Sequence, residues 1–249
     1  MRDDNRRGPG TIGKFYGVGL GPGDPKLLTL KAKEILEKVD VIFVPKADRE
    51  GNSRARSIVE AATAGPWNFV ELIFPMAKDE KILGSYWKKA AGRIAEEVWI
   101  GKTVAFVTIG DPFIYSTYIY VLKTLRQNFP DIEVETIPGI SAFNAAASLA
   151  QIPLVEGEER LAILPVTDDL RPLRETFKEF DTVVLMKVGS KLERVVRLLN
   201  ELNLIKNAVL ISHAGCPNEY IERDLSILSG KELGYLSVII VKCRQEEKA

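Results

Sequence analysis

The sequence predicts an α/β protein of two α/β domains, the second built on a mixed sheet. Three observations predict this. Short apolar, β-rich runs alternate with segments of helical periodicity through the first half, the pattern of a mostly parallel sheet with helices on its faces. The last two apolar runs have no helix between them, which favours antiparallel pairing there. The chain has 249 residues, 46% of them apolar, enough for one large or two small domains with a buried core.

The elements follow in order. Phe15 to Leu20 reads as a strand running into glycines. Lys26 to Lys38 reads as a helix, with Leu27, Leu30, Ile35 and Leu36 spaced to share a face. Val41 to Val44 is a continuous apolar run ended by Pro45, typical of a strand buried on both faces. Ser53 is placed to cap a helix reaching Ala62, and Phe69 to Phe74 is strand-like. Lys78 to Trp99 is a long amphipathic helix, stopped near Gly101. Thr103 to Ile109 is a buried strand, followed by a loop at 110–112 and a helix from Tyr115 to Asn128. In the second half, strands are expected at Glu133–Ile137, Leu161–Leu164, Thr182–Lys187 and Ala208–His213. Helices are expected at Ser141–Gln151, Leu170–Phe180 and Lys191–Asn203. The first of these is rich in small residues, which permit close packing. Tyr220–Leu228 and Leu236–Lys242 read as the final strands. The expected organisation is a flexible tail at 1–12, an N-terminal domain at 13–130 and a C-terminal domain at 138–249.

Composition narrows the function. Basic and acidic residues number 34 each, so no global charge draws the chain to nucleic acid or to an anionic membrane. No apolar run reaches the roughly 18 residues of a membrane span. The polar stretch Met1–Gly10 has no secretion signal, so a cytoplasmic location with two free thiols, Cys216 and Cys243, is expected. With those two cysteines and one histidine, His213, neither a disulfide framework nor a structural metal cluster is expected.

Three motifs carry the chemistry. Gly17, Gly19, Gly21 and Gly23 alternate after the first strand and lead to Asp24 and Pro25. Such glycines let a backbone approach a ligand closely. Pro22 stands where the dinucleotide fingerprint requires its third glycine, which disfavours a nicotinamide-dependent dehydrogenase. The second motif is Thr108-Ile109-Gly110-Asp111-Pro112, at the carboxyl end of a strand, where ligands bind in α/β sheets. The third is Ile137-Pro138-Gly139-Ile140-Ser141-Ala142. Taken singly, the second and third read as turns, the second with Asp111 as a helix cap.

Together, in this order and spacing, the three motifs resemble the tetrapyrrole methylase family, over a span from about Lys14 to Cys243. Tyr115-Ser116-Thr117-Tyr118 and the segment Val155 to Arg160 are similar to its C20-methyltransferase branch, which acts on precorrin-2 or cobalt-factor II in cobalamin biosynthesis. The C2/C7 branch typically carries Phe-Gly-Arg where this chain has Tyr115, Ser116 and Thr117. Alternatives are another methyltransferase of the same fold, acting on a different corrin carbon or on protein as diphthine synthases do, and a non-catalytic S-adenosylmethionine-binding module.

The resemblance implies two α/β domains with S-adenosylmethionine (SAM) in a cleft between them, and S-adenosylhomocysteine as product. It implies cofactor contacts at Pro22, Ile109, Gly110, Asp111, Ile114, Ser141, Ala142, Met186, Ala214 and Gly215. Apart from the resemblance, Met186 reads as an ordinary core methionine. The methyl group arrives activated by the sulfonium, so no metal is called for, and catalysis rests on holding both reactants in a near-attack geometry. Tyr115, Glu158 and Glu159 are candidates for removing the proton left at C20. A substrate with many carboxylates calls for basic residues at its rim. Lys46, Arg49, Arg54 and Arg56 follow a strand end as a group, and Arg160 and Lys187 are further candidates. Relatives form homodimers, so a homodimer is expected.

Overall fold

A computed structural model describes residues 12–47, 53–75, 79–228 and 236–244. The chain divides into two compact units between Ser141 and Ala142. The tail expected at 1–12, apart from Ile12, lies outside the described residues.

The first unit carries strands β1 (Phe15–Gly19), β2 (Val41–Lys46), β3 (Phe69–Ile73), β4 (Val104–Thr108) and β5 (Val134–Ile137). They form one sheet in the order β3-β2-β4-β1-β5, with every pair parallel. β5, which the sequence reading left between its two domains, pairs with β1 at the sheet edge. Helices α1 (Leu30–Leu36), α2 (Arg54–Ala62), α3 (Glu80–Trp99) and α4 (Tyr118–Asn128) cover the two faces. On one face Phe15, Phe43 and Phe106 pack with Ile94 and Val98 of α3 and with Tyr118 and Leu125 of α4. On the other, Val18, Ile42, Val44 and Val107 pack with Leu36 of α1 and with Ile58 and Val59 of α2. Burial on both faces is what the continuous apolar runs required.

Four expectations for this unit are corrected. The helix expected over Lys26–Lys38 is broken into a 3-10 turn at Pro25–Leu27 and α1. Asp24 accepts the Lys26 N–H and Thr29 accepts the Ala32 N–H, so each piece has its own cap. Leu30, expected on the buried face, opens α1 at 80% exposure. Pro45 does not end β2: pairing with β4 stops at Phe43, so the missing N–H at Pro45 costs no bond on that side while pairing with β3 continues. The helix expected from Tyr115 begins at Tyr118, because Tyr115 lies in the left-handed region at φ 51°.

The second unit carries α5 (Ala142–Ala150), β6 (Leu161–Pro165), α6 (Arg171–Glu179), β7 (Thr182–Met186), α7 (Leu192–Glu201), β8 (Ala208–Ser212), β9 (Tyr220–Glu222) and β10 (Ser237–Lys242). The sheet order is β6-β7-β10-β8-β9. β6 and β7 are parallel, while β10 runs antiparallel between β7 and β8, so this sheet is mixed as expected. Ala145, Ala146 and Ala150 of α5 pack against Val209, Ile211, Val238 and Ile240, and their small side chains bring the helix close to the sheet. The tail differs from expectation. The strand expected over Tyr220–Leu228 is only three residues long, and Leu225–Leu228 is a 3-10 turn whose Leu225 and Leu228 are buried against α7 and the other sheet face. β9 and β10 do not pair with each other; both pair with β8.

Candidate functional site

Adjacent parallel strands deliver their carboxyl ends to one edge of a sheet. In the first unit the order β4-β1-β5 therefore brings three loops together, and these are the three motifs singled out in the sequence. The loops are joined backbone to backbone. The Gly110 N–H donates to the Gly21 carbonyl at 2.7 Å, and the Gly21 N–H donates back to the Gly110 carbonyl at 3.3 Å. The Asp111 carboxylate accepts the Gly139 N–H at 3.1 Å and the Phe113 N–H at 2.8 Å.

The glycines are required by this junction. A Cβ on Gly139 would stand 2.3 Å from the Gly110 carbonyl oxygen, and one on Gly19 would stand 2.6 Å from the Gly139 nitrogen. Gly110 differs. It is buried and left-handed at φ 76°, yet a Cβ built on it meets nothing within 4 Å. Open space over a buried strand-end glycine is room for a ligand to lie against the backbone. Gly17 has another cause: its Cβ would stand 2.1 Å from the Tyr118 ring, so it serves core packing rather than a ligand.

The loop after β4 is fixed by buried hydroxyls that the sequence reading missed. Thr108 Oγ1 and Ser116 Oγ are 3.1 Å apart, and Ser116 accepts the Tyr118 N–H at 3.0 Å. Tyr118, fully buried, places its hydroxyl 2.5 Å from Thr136 on β5. Gly-Asp-Pro signalled the loop, but hydroxyls that bond each other leave no periodic pattern. Pro22 is buried beside the junction, and Ile109, Asp111 and Ile114 are half-buried. Ser141 is buried at the end of this unit. Tyr115 is 39% exposed, and partial burial raises its hydroxyl above the usual tyrosine value.

In the second unit Ala142, Met186 and Ala214 join one apolar cluster. β7 and β8 both run antiparallel to β10, so their carboxyl ends share an edge, where Met186 and Ser212 face Val238 and Ser237. The chain turns there through left-handed Lys187, His213 and Gly215. Ser212 Oγ lies 2.8 Å from His213 Nδ1 and 3.0 Å from Ser237 Oγ, and the Gly215 N–H donates to Glu219 at 2.8 Å.

Within the second unit, three further sequence-predicted residues stand apart from that edge. Arg160 precedes β6 and its N–H donates to Asp181 at 2.7 Å, which puts it, with Glu158 and Glu159, at the opposite edge of the sheet from Met186. Its guanidinium donates to the Glu179 carbonyl and covers the Phe180 ring. Glu159 accepts from the Glu156 N–H and from Lys242, while Glu158 is exposed. In the first unit Lys46 is 8% exposed in its side chain and pairs with Glu71 at 3.1 Å. Arg56 pairs with Glu60 at 2.8 Å and lies over the Phe69 ring, and Arg54 is exposed. Arg49 lies outside the described residues.

Comparison with known proteins gives the class. The family model described as Tetrapyrrole (Corrin/Porphyrin) Methylases matches residues 14–226, and the chain belongs to that family. A relative from Methanocaldococcus jannaschii, named probable cobalt-precorrin-2 C(20)-methyltransferase, is 43% identical over 79% of this chain and 84% of its own. Cobalt-precorrin-2 C(20)-methyltransferase of Salmonella typhimurium is 32% identical over 94% of this chain and 98% of its own. Precorrin-2 C(20)-methyltransferase of a Sinorhizobium species is 34% identical over 92% of this chain and 95% of its own. The solved structure of a cobalt precorrin-4 methyltransferase shares the fold, with a TM-score of 0.69 at 20% identity over 93% of this chain and 96% of its own.

Proposed function

We propose that the protein is a SAM-dependent methyltransferase that methylates C20 of precorrin-2 or cobalt-factor II in cobalamin biosynthesis, releasing S-adenosylhomocysteine. The observation that carries this reading is the match to three relatives with C20-methyltransferase names, at 32–43% identity over most of the chain. The Gly19–Gly110–Gly139 junction supports it, since space over Gly110 suits a ligand that lies along backbone.

Bound SAM supplies a methyl group already activated for transfer. The chain's task is placement, worth roughly 7–11 kcal/mol when the geometry is near attack. In this reading Pro22 and the backbone at Ile109, Gly110 and Asp111 hold the amino-acid and ribose parts, with Ile114, Ser141 and Ala142 beside them. Met186, Ala214 and Gly215 hold the adenine, Met186 and Ala214 offering apolar contact and Gly215 its backbone. Asp111 acts chiefly by holding the loops in register, since each of its carboxylate oxygens already accepts an N–H. Arg54 and Arg56 are the exposed cations among the described residues of the Lys46–Arg56 group, and Lys46 and Arg56 would exchange Glu71 and Glu60 for substrate carboxylates. Of the candidates for the C20 proton, Tyr115 shares the Asp111 loop; with its hydroxyl protonated it serves as a relay, passing its own proton to water as it takes the one from C20. A homodimer in the cytoplasm completes the proposal.

The test is an anaerobic assay of the purified protein with SAM and either metal-free precorrin-2 or cobalt-factor II. One of the two gains a single methyl group. If neither does, while a different tetrapyrrole is methylated, the assignment to this branch fails.

A further inference from the structure

The geometry points to Phe113 as an aromatic platform on which the flat face of the tetrapyrrole stacks. This inference rests on the tetrapyrrole reading above and adds a binding residue to it. Phe113 follows the Asp111 loop at the carboxyl end of β4 and is 54% exposed. Its position is nonetheless fixed. Its backbone N–H donates to Asp111 at 2.8 Å. Its ring meets the Tyr118 ring edge-on, with centroids 5.8 Å apart and planes at 63°. Tyr118 is itself held by the core: it is fully buried, packs against Phe15 and Phe106, and bonds Thr136 through its hydroxyl. Three residues on, Ser116 ties the loop to Thr108.

Phe113 thus rests on one side against the core ring of Tyr118 and is open on another. An anchored ring binds a flat partner without losing rotamer freedom, which makes it a preorganised contact. A conjugated macrocycle whose charges lie on its rim offers a flat apolar face that matches such a ring in stacked geometry. The platform adjoins the Gly110 junction through the chain itself, only three positions away.

Phe113→Ala, Phe113→Leu and Phe113→Tyr test this by absorbance titration of cobalt-factor II into protein saturated with S-adenosylhomocysteine, with calorimetry of S-adenosylhomocysteine alone. Phe113→Ala weakens tetrapyrrole binding roughly tenfold, Phe113→Tyr restores it, Phe113→Leu restores it only in part, cofactor affinity stays at its wild-type value, and Tm falls by no more than a few degrees through the lost Tyr118 ring contact. Wild-type tetrapyrrole affinity in Phe113→Ala overturns the platform. So does full restoration by leucine, which would mean apolar contact without stacking, or a loss confined to cofactor affinity, which would mean the ring holds adenine. The platform and the C20 assignment fail separately: wild-type protein that binds the tetrapyrrole but methylates another carbon refutes only the assignment, and wild-type protein that binds no tetrapyrrole refutes both.

Discussion

The carboxylate of Asp111 accepts the backbone N–H of Gly139 across 3.1 Å, tying the loop after β4 to the loop after β5. Its other oxygen accepts the Phe113 N–H, so one side chain sets the spacing of two of the three loops that carry the family's motifs. Asp111→Ala is expected to keep the fold and lose roughly 1–3 kcal/mol of stability through two unpaired N–H groups, with SAM affinity falling as the loops separate. Asp111→Asn presents one acceptor oxygen instead of two and falls between alanine and wild type. Calorimetry with SAM, alongside thermal melts, checks both; unchanged affinity in the alanine variant would remove Asp111 from the site.

Gly139 and Gly92 make a contrasting pair. Gly139→Ala forces a Cβ to within 2.3 Å of the Gly110 carbonyl oxygen, a backbone atom that cannot step aside alone. A loss of roughly 1–3 kcal/mol or more is expected, with SAM binding abolished. Gly92 lies inside α3, where a Cβ meets nothing within 4 Å. Gly92→Ala is expected to stabilise by up to about 1 kcal/mol, since alanine is the better helix former. Thermal or urea unfolding of the two variants should move in opposite directions.

How much of this was legible depended on whether the determinant was local. The runs at Val41, Val104 and Thr182 announced buried strands because residues covered on both faces must all be apolar. The same kind of evidence misled at Leu30, whose spacing from Ile35 and Leu36 looked helical although Thr29 restarts the helix one residue earlier. Gly17 read like its neighbours Gly19 and Gly21, and only the fold shows that the Tyr118 ring, about a hundred residues away along the chain, requires it. Asp111 was visible as a strand-end acid, but its partner lies 28 residues on, beyond the reach of any local pattern. Glu159 and Arg160 were placed near the ligand from sequence alone, and the register of β6 against β7 puts them at the far edge of their sheet from Met186.

Glu97 on α3 predicts how stability responds to acid. Its nearly buried carboxylate lies 2.6 Å from both Lys102 Nζ and Arg93 Nη2. The Lys102 hydrogen bond, followed by the charges of Lys102 and Arg93, holds its pKa below the ordinary glutamate value of 4.5. A lowered folded-state pKa gives stability that is whole above the unfolded value and is lost as pH falls through the folded one. Glu97→Gln is therefore expected to cost about 1–3 kcal/mol at neutral pH and progressively less as the pH drops below 4.5. Urea midpoints measured from pH 7 to pH 3 for wild type and variant should converge; a constant gap would contradict the assignment.

The central claim is methylation at C20, and the most direct measurement is the position of the transferred carbon. The purified protein is incubated anaerobically with SAM labelled with carbon-13 in its methyl group and with precorrin-2 or cobalt-factor II, and the product is examined by carbon-13 NMR. A single labelled methyl group on the meso carbon C20 is the predicted result. A label on any other carbon of the macrocycle, or a product without label when SAM is bound, would contradict it.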